Sequence, residues 1–237
     1  MNRRADFFGI DELRSGDHLS IDEFHLRYQN MPEVKFAELI EGVVYMPSPL
    51  SIDHGVPHGL MGLWLGTYAM ETPGVEYGSN LSVFFDEGET CLQPDGLLRI
   101  LPERGGQTRN VRKGKARYIG GTPELVAEIA YSTVNYDLHE KLTACERNGV
   151  PEYLVWRVGE GEVDWFQLHG RRYRKMVLAQ DGIYRSVVFP GLYLDVEAAL
   201  AGKKKLTLET LAVGLSSADH AAFAQRMASA RSRRKKT

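Results

Sequence analysis

Apolar residues are arranged in three different ways along this chain, and each arrangement predicts a different kind of element. Up to residue 35 the chain is polar, and Ser20-Ile21-Asp22-Glu23-Phe24 has the form of a capping box, with Ser20 as N-cap. This predicts an opening helix. A strand region is predicted over residues 36–46, with a turn at Pro47-Ser48-Pro49. Residues 52–70 read as a helix that Asp53 could cap, with Pro57 tolerable because it falls in the first turn. Gly55, Gly59, Gly62 and Gly66 fall on one face of that helix. Each costs roughly 1 kcal/mol relative to alanine. A flat face at that cost implies close packing, against a sheet or against a second subunit.

Farther along, the period changes to that of strands. Residues 81–86 and 90–101 read as strands and residues 102–121 as a polar, glycine-rich excursion. Residues 125–131 form a nearly continuous apolar run between Pro123 and Ser132, as expected of a strand buried on both faces. A helix is predicted from Asp137 to Asn148, stopped by Gly149, and a second buried strand over residues 153–158. Glycine-bearing turns at 159–161, 169–170, 181–182 and 190–191 predict hairpins, and a helical tail begins near Asp195. The order of elements predicts a mixed α/β fold with a C-terminal antiparallel hairpin extension; too few helices separate the strands for a doubly wound sheet. The boundaries divide the chain into an extension (1–19), a main domain (20–200) and a helical, basic tail (201–237).

Composition narrows the class. The chain has 237 residues, 43% hydrophobic and 25% charged, which excludes a disordered, collagen-like or coiled-coil protein. No run approaches ~18 apolar residues and no secretory leader is visible, so a cytoplasmic protein without a membrane span is expected. Cys91 and Cys145 are then expected to be free thiols. A net charge of −2 points to no acidic partner, so any nucleic-acid reading must rest on local charge. The histidines show no zinc spacing and the cysteines no C-x-x-C, so no zinc site is expected.

Three ionisable residues stand where burial is predicted. Glu128 lies inside the apolar run, at a cost of several kcal/mol unless it is compensated. Asp95 follows Pro94, which removes a ladder donor, and precedes Gly96, which permits close approach. Lys141 shares the apolar stripe of its helix with Leu138, Leu142 and Cys145. Each has a plainer explanation: an arginine partner for Glu128, turn chemistry for Asp95, a snorkelling ammonium for Lys141. Together they are the parts needed to hold a divalent cation beside a phosphate. His54 is a further candidate, either to touch substrate or to cap its helix.

Several ordered motifs carry a resemblance. Gln93-Pro94-Asp95, Pro123-Glu124-Leu125-Val126-Ala127-Glu128-Ile129, Tyr136-Asp137-Leu138-His139-Glu140-Lys141-Leu142 and Asn148-Gly149-Val150-Pro151-Glu152-Tyr153 resemble the Uma-two family. Glu38-Leu39-Ile40-Glu41-Gly42-Val43-Val44 and Phe189-Pro190-Gly191-Leu192 fit as well. That family is similar to the restriction-endonuclease-like, PD-(D/E)XK superfamily. The resemblance spans roughly residues 20–200 and implies a mixed core sheet flanked by helices, with two metal-binding acids on neighbouring strands.

Carried over residue by residue, Asp95 and Glu128 resemble the two metal-binding acids, with the Ile129 carbonyl as a third ligand. Glu38 resembles the additional upstream glutamate, with Glu41 as the alternative. The superfamily lysine should stand two residues after the second acid, where this chain has Ala130; Lys141 resembles a migrated replacement. The resemblance implies a Mg2+-dependent (or Mn2+-dependent) DNA endonuclease. Arg109, Arg112, Lys113 and Lys115, in an acid-free stretch, are expected to engage phosphates, and the basic residues 231–237 to add affinity. Two rivals remain at this point: a nucleic-acid-binding or regulatory protein with a dead site, and a structural homodimer built on the glycine-faced helix.

Overall fold

A computed structural model describes residues 11–46, 51–131 and 133–229. The turn expected at Pro47-Ser48-Pro49 and the basic residues 231–237 lie outside the described residues. Ser20 caps α1 (Ile21–Gln29), its Oγ accepting the Glu23 N–H at 3.3 Å. The predicted strand over 36–46 is instead a hairpin of β1 (Glu38–Ile40) and β2 (Val43–Tyr45). Its two-residue turn puts Glu41 and Gly42 at φ 50° and 81°, the left-handed pair that matches strand twist. Helix α2 (Ile52–Glu71) starts from Ser51 as its N-cap residue, so Asp53 lies within its first turn and is not its cap.

Two short strands follow, β3 (Val75–Gly78) and β4 (Val83–Phe84). The predicted strand over 90–101 is broken. β5 (Cys91–Leu92) and β6 (Gly96–Ile100) belong to different sheets, and Gln93-Pro94-Asp95 is the step between them. Proline's missing donor is tolerated there because no ladder continues through it. The stretch 102–121 is not a loop. It holds a hairpin of β7 (Thr108–Lys113) and β8 (Ala116–Gly121), turning at Gly114 with φ 62°.

The apolar run is β9 (Leu125–Ala130), buried at every position. The helix expected from Asp137 begins earlier, as α3 (Val134–Tyr136), passes through a wider π-turn at Asp137–Lys141, and ends as α4 (Leu142–Arg147). β10 (Glu152–Arg157) then runs parallel to β9, and β11 (Glu162–His169) and β12 (Arg172–Lys175) continue antiparallel. A small sheet of β13 (Ile183–Arg185) and β14 (Tyr193–Asp195) leads into α5 (Val196–Leu200), α6 (Lys204–Leu215) and α7 (Ala218–Ser229).

The strands form two six-stranded mixed sheets, β2-β1-β5-β4-β8-β7 and β12-β11-β10-β9-β6-β3. Alternation along β9 separates the layers. Leu125, Ala127 and Ile129 pack with Leu60, Trp64 and Leu65 of α2, and with Leu211 and Phe223 of the C-terminal helices. Val126 and Ala130 face the opposite way, toward Ile40, Val83 and Leu92 of the first sheet and Ala144 and Cys145 of α4. Helix α1 covers the first sheet's outer face through Phe24. On α2, Gly62 and Gly66 meet Tyr77 of β3, whereas Gly55 and Gly59 face open space. Close packing on the sheet therefore accounts for half of that glycine face. Both cysteines are free and buried. Among the described residues no helix is long and apolar enough to cross a membrane.

Candidate active site

Strand register brings the two acids together. Gly96 pairs with Ala127 in the antiparallel β6–β9 ladder, so Asp95 and Glu128, one residue outward on each side, stand next to one another. The Ile129 N–H donates to Asp95 Oδ2 at 2.8 Å, and the Asp95 N–H approaches Glu128 Oε2 at 3.4 Å. Because Glu128 alternates with Ile129, it points into the layer between the sheets, where it is only 2% exposed.

The cation for this buried acid comes from the helix. Lys141 Nζ lies 3.0 Å from Glu128 Oε1, 3.0 Å from Glu38 Oε2 and 3.5 Å from Asp137 Oδ1, and 5.3 Å from the centre of the Tyr136 ring. Ala130 explains the arrangement. It is fully buried on the same face as Glu128, packed among inter-sheet apolar residues. The helix lying over that face delivers the ammonium instead. Lys141 faces the acids and not solvent.

Glu38 is fixed on both oxygens. Oε1 accepts the Gln93 N–H at 2.6 Å and Oε2 accepts the Tyr136 hydroxyl at 3.2 Å. Glu41, the alternative, sits in the hairpin turn and pairs with Arg147, so of the two glutamates it is Glu38 that lies at this cluster. Gln93 itself is anchored, its Oε1 accepting from Ala37 N–H and Tyr28 Oη–H, both at 3.0 Å.

Asp95 has a further partner in His54. An ionised carboxylate can only accept, so His54 Nε2 carries the proton of their 3.1 Å contact. Four residues on along α2, His58 Nε2 donates to the Asp95 carbonyl at 2.9 Å, with Ser79 Oγ at 3.1 Å. His54, His58 and Asp95 offer ligand atoms that all lie within 4.8 Å of one another, a histidine-containing set the sequence reading did not expect. His58 nevertheless commits its Nε2 proton to a carbonyl, and this favours holding the Asp95 backbone over ligation. Asp95 Oδ1 takes no hydrogen bond among the described residues.

Electrostatics follow from three carboxyl groups around one ammonium, with Asp95 beside them. Burial pushes Glu128 well above the ordinary glutamate range, an effect Lys141 only partly offsets. Burial likewise pushes Asp137 up to about 6, against Lys141 and the Thr133 hydrogen bond. For Lys141 burial opposes the charge, but Glu128, Glu38 and Asp137 outweigh it and hold the ammonium well above its usual range. Burial raises Asp95 too, yet its His54 hydrogen bond and charge, with Lys141 and the Ile129 N–H, bring it below the usual range. These directions are compatible: the lysine stays charged while the surplus acids compete for protons. A site with more buried acid than base fits a hard cation, and oxygen donors of this kind suit Mg2+.

These groups line a cleft of about 780 Å3 that contains Glu38, Asp95, Glu128, Ile129, Asp137 and Lys141 together with His54. Ile129 contributes its N–H to Asp95 and lines the cleft. Arg109, Arg112, Lys113 and Lys115 do not line it. They lie on the β7–β8 hairpin, where Arg109 grips Asp86 with both terminal nitrogens and Lys113 reaches Asp22 at 3.1 Å. Asp137 and His58 were missed in the sequence. Both stand four residues from a nominated partner (Asp137 from Lys141, His58 from His54), the helical spacing that could have found them.

Known proteins agree with this architecture. A crystal structure of "a putative nuclease belonging to DUF820" from Anabaena variabilis matches with a TM-score of 0.55 at 16% identity, covering 77% of this chain and 99% of that one. Among curated proteins none matches. The family model Uma2, described as "Putative restriction endonuclease", matches residues 21–197. With well over half its length covered by that model, the chain belongs to the Uma2 family.

Proposed function

We propose that this protein is a divalent-metal-dependent endonuclease that hydrolyses phosphodiester bonds in DNA. The observation that carries the reading is Lys141: a buried ammonium held by Glu38, Glu128 and Asp137 beside Asp95. Family membership, and a fold shared with a protein described as "a putative nuclease", support the same reaction class. Asp95, through its free Oδ1, and Glu128 would hold Mg2+ or Mn2+, with the Ile129 carbonyl as a further oxygen donor. When bound, such a cation neutralises charge on the scissile phosphate and lowers the pKa of water.

The chain's own residues do the rest. His54 and the Ile129 N–H occupy Asp95 Oδ2 and so aim the other oxygen into the cleft. Lys141, kept protonated by its three acids, acts as a positive charge and donor for the attacking water and the developing phosphorane charge, and not as a base. Water adds to phosphorus and gives up a proton to solvent, and the P–O bond to the 3′ or 5′ oxygen breaks as that oxygen takes a proton from solvent, leaving a phosphate monoester and a hydroxyl.

The test is cleavage of circular single-stranded DNA and of supercoiled plasmid, each with and without Mg2+. Wild type should nick DNA only with the metal, and Asp95→Asn and Glu128→Gln should lose that activity while keeping the wild-type circular dichroism spectrum. Full activity in either variant would overturn the reading. The rival of a regulatory DNA binder with a dead site drew its support from Ala130, and Lys141 facing the acids weakens it.

A further inference from the structure

Given that nuclease reading, on which this step rests, the geometry points to an unpaired DNA strand, rather than a double helix, as the substrate taken into the cleft. Duplex-binding proteins direct half or more of their hydrogen bonds to phosphates and sugars, and arginine and lysine supply a large share of the affinity, more steeply per phosphate than on a single strand. Lys141 is the single lysine or arginine among the described residues that line this cleft, and it is already enclosed by three carboxylates. The basic residues of the β7–β8 hairpin lie outside it.

What the walls offer instead is aromatic and amide surface. Phe36, Tyr45 and Tyr131 line the cleft with Asn80 and Asn135. Tyr131, one residue beyond a fully buried strand, is 46% exposed, and its ring lies against Gly159, which carries no side chain. A base can stack on such a face whatever its identity, and amides can reach its Watson–Crick edge only if that edge is unpaired. The cleft's volume of about 780 Å3 is that of a pocket enclosing one small ligand. That is the scale of a nucleotide or two. The phosphate joining them would meet Asp95 and Glu128 only when a divalent cation screens those acids, so strand binding requires the metal.

The experiment is fluorescence anisotropy of the full chain with a labelled oligonucleotide, offered single-stranded or annealed to its complement, in Ca2+ and in EDTA. Parallel cleavage is followed in Mg2+. The single strand should bind at least tenfold more tightly than the duplex, only with the cation, and be cut faster. Tyr131→Ala should weaken single-strand binding about 5- to 150-fold, the range of one lost stacking contact, while Tyr131→Phe should retain it. Duplex bound or cut as well as single strand, or Tyr131→Ala binding normally, overturns the inference and leaves the nuclease reading standing. Failure of both DNA forms to bind or be cut with any divalent cation overturns the nuclease reading as well.

Discussion

Ile129 donates its backbone N–H to Asp95 Oδ2 at 2.8 Å, so one acid is held by the residue next to the other. Asp95 is the last residue of the step before β6, so the β6–β9 register sets its separation from Glu128. Donor geometry at this site is a property of the ladder.

Removing the ammonium should therefore cost stability as well as activity. Lys141→Met leaves Glu38, Glu128 and Asp137 buried without a cation, and breaking such a pair costs about 3–5 kcal/mol. Urea unfolding at neutral pH should show that loss. A variant as stable as wild type would mean the acids are already protonated in the native protein.

His54→Ala removes a hydrogen bond from Asp95 while leaving the backbone bond from Ile129. Partners of this kind behind a metal ligand are worth about 10- to 100-fold in affinity. Calorimetric titration with Mn2+ should show a weakening in that range, with little change in melting temperature. Unchanged affinity would mean that His54 does not orient the carboxylate.

Glu152 provides a pH signature away from the site. Fully buried, it accepts Ser186 Oγ–H at 2.7 Å and the N–H groups of Val187 and Val188 at 2.8 and 3.1 Å, with burial raising its pKa. The folded state thus binds this proton more tightly than the unfolded chain does. Its contribution is favourable below the ordinary glutamate pKa and is lost as pH rises from there through the raised value. Across that window the melting temperature of wild type should fall more steeply than that of Glu152→Gln; equal slopes would place the titration elsewhere.

The glycine face of α2 should split in two. Gly55→Ala and Gly59→Ala meet nothing within 4 Å and should each stabilise by up to about 1 kcal/mol. For a chain of this size that is roughly 2–4 °C in melting temperature. Gly62→Ala would bring a Cβ within 2.9 Å of Tyr77 Oη and should gain nothing. If Gly55→Ala or Gly59→Ala instead lowers the melting temperature and dissociates an oligomer, that end of α2 is a subunit contact, where Ile52 and Val56 are also exposed.

Long, uniformly patterned elements were legible in the sequence. β9 is apolar at five of its six positions because both its faces are covered, so Glu128 stood out against it. Lys141 could be placed inward from the stripe it shares with Cys145, although the π-turn at Asp137–Lys141 widens the helix there by a residue that no simple period anticipates. The break between β5 and β6 was visible as Pro94, but which sheet each half joins depends on long-range pairing. The 102–121 hairpin was misread because Arg and Lys at exposed edge positions disguise alternation, and β8 finds its parallel neighbour in the distant β4. For the same reason the basic residues there could not be positioned relative to the acids.

Glu38 is carried by one sheet, Glu128 by the other, and Asp95 by the three-residue step that joins them. The spacing of the three carboxylates is therefore a ruler laid across the gap between two layers. Any substitution that slides those layers by a fraction of an ångström, however remote from the cleft, would be registered as a change in how well the proposed cation is gripped.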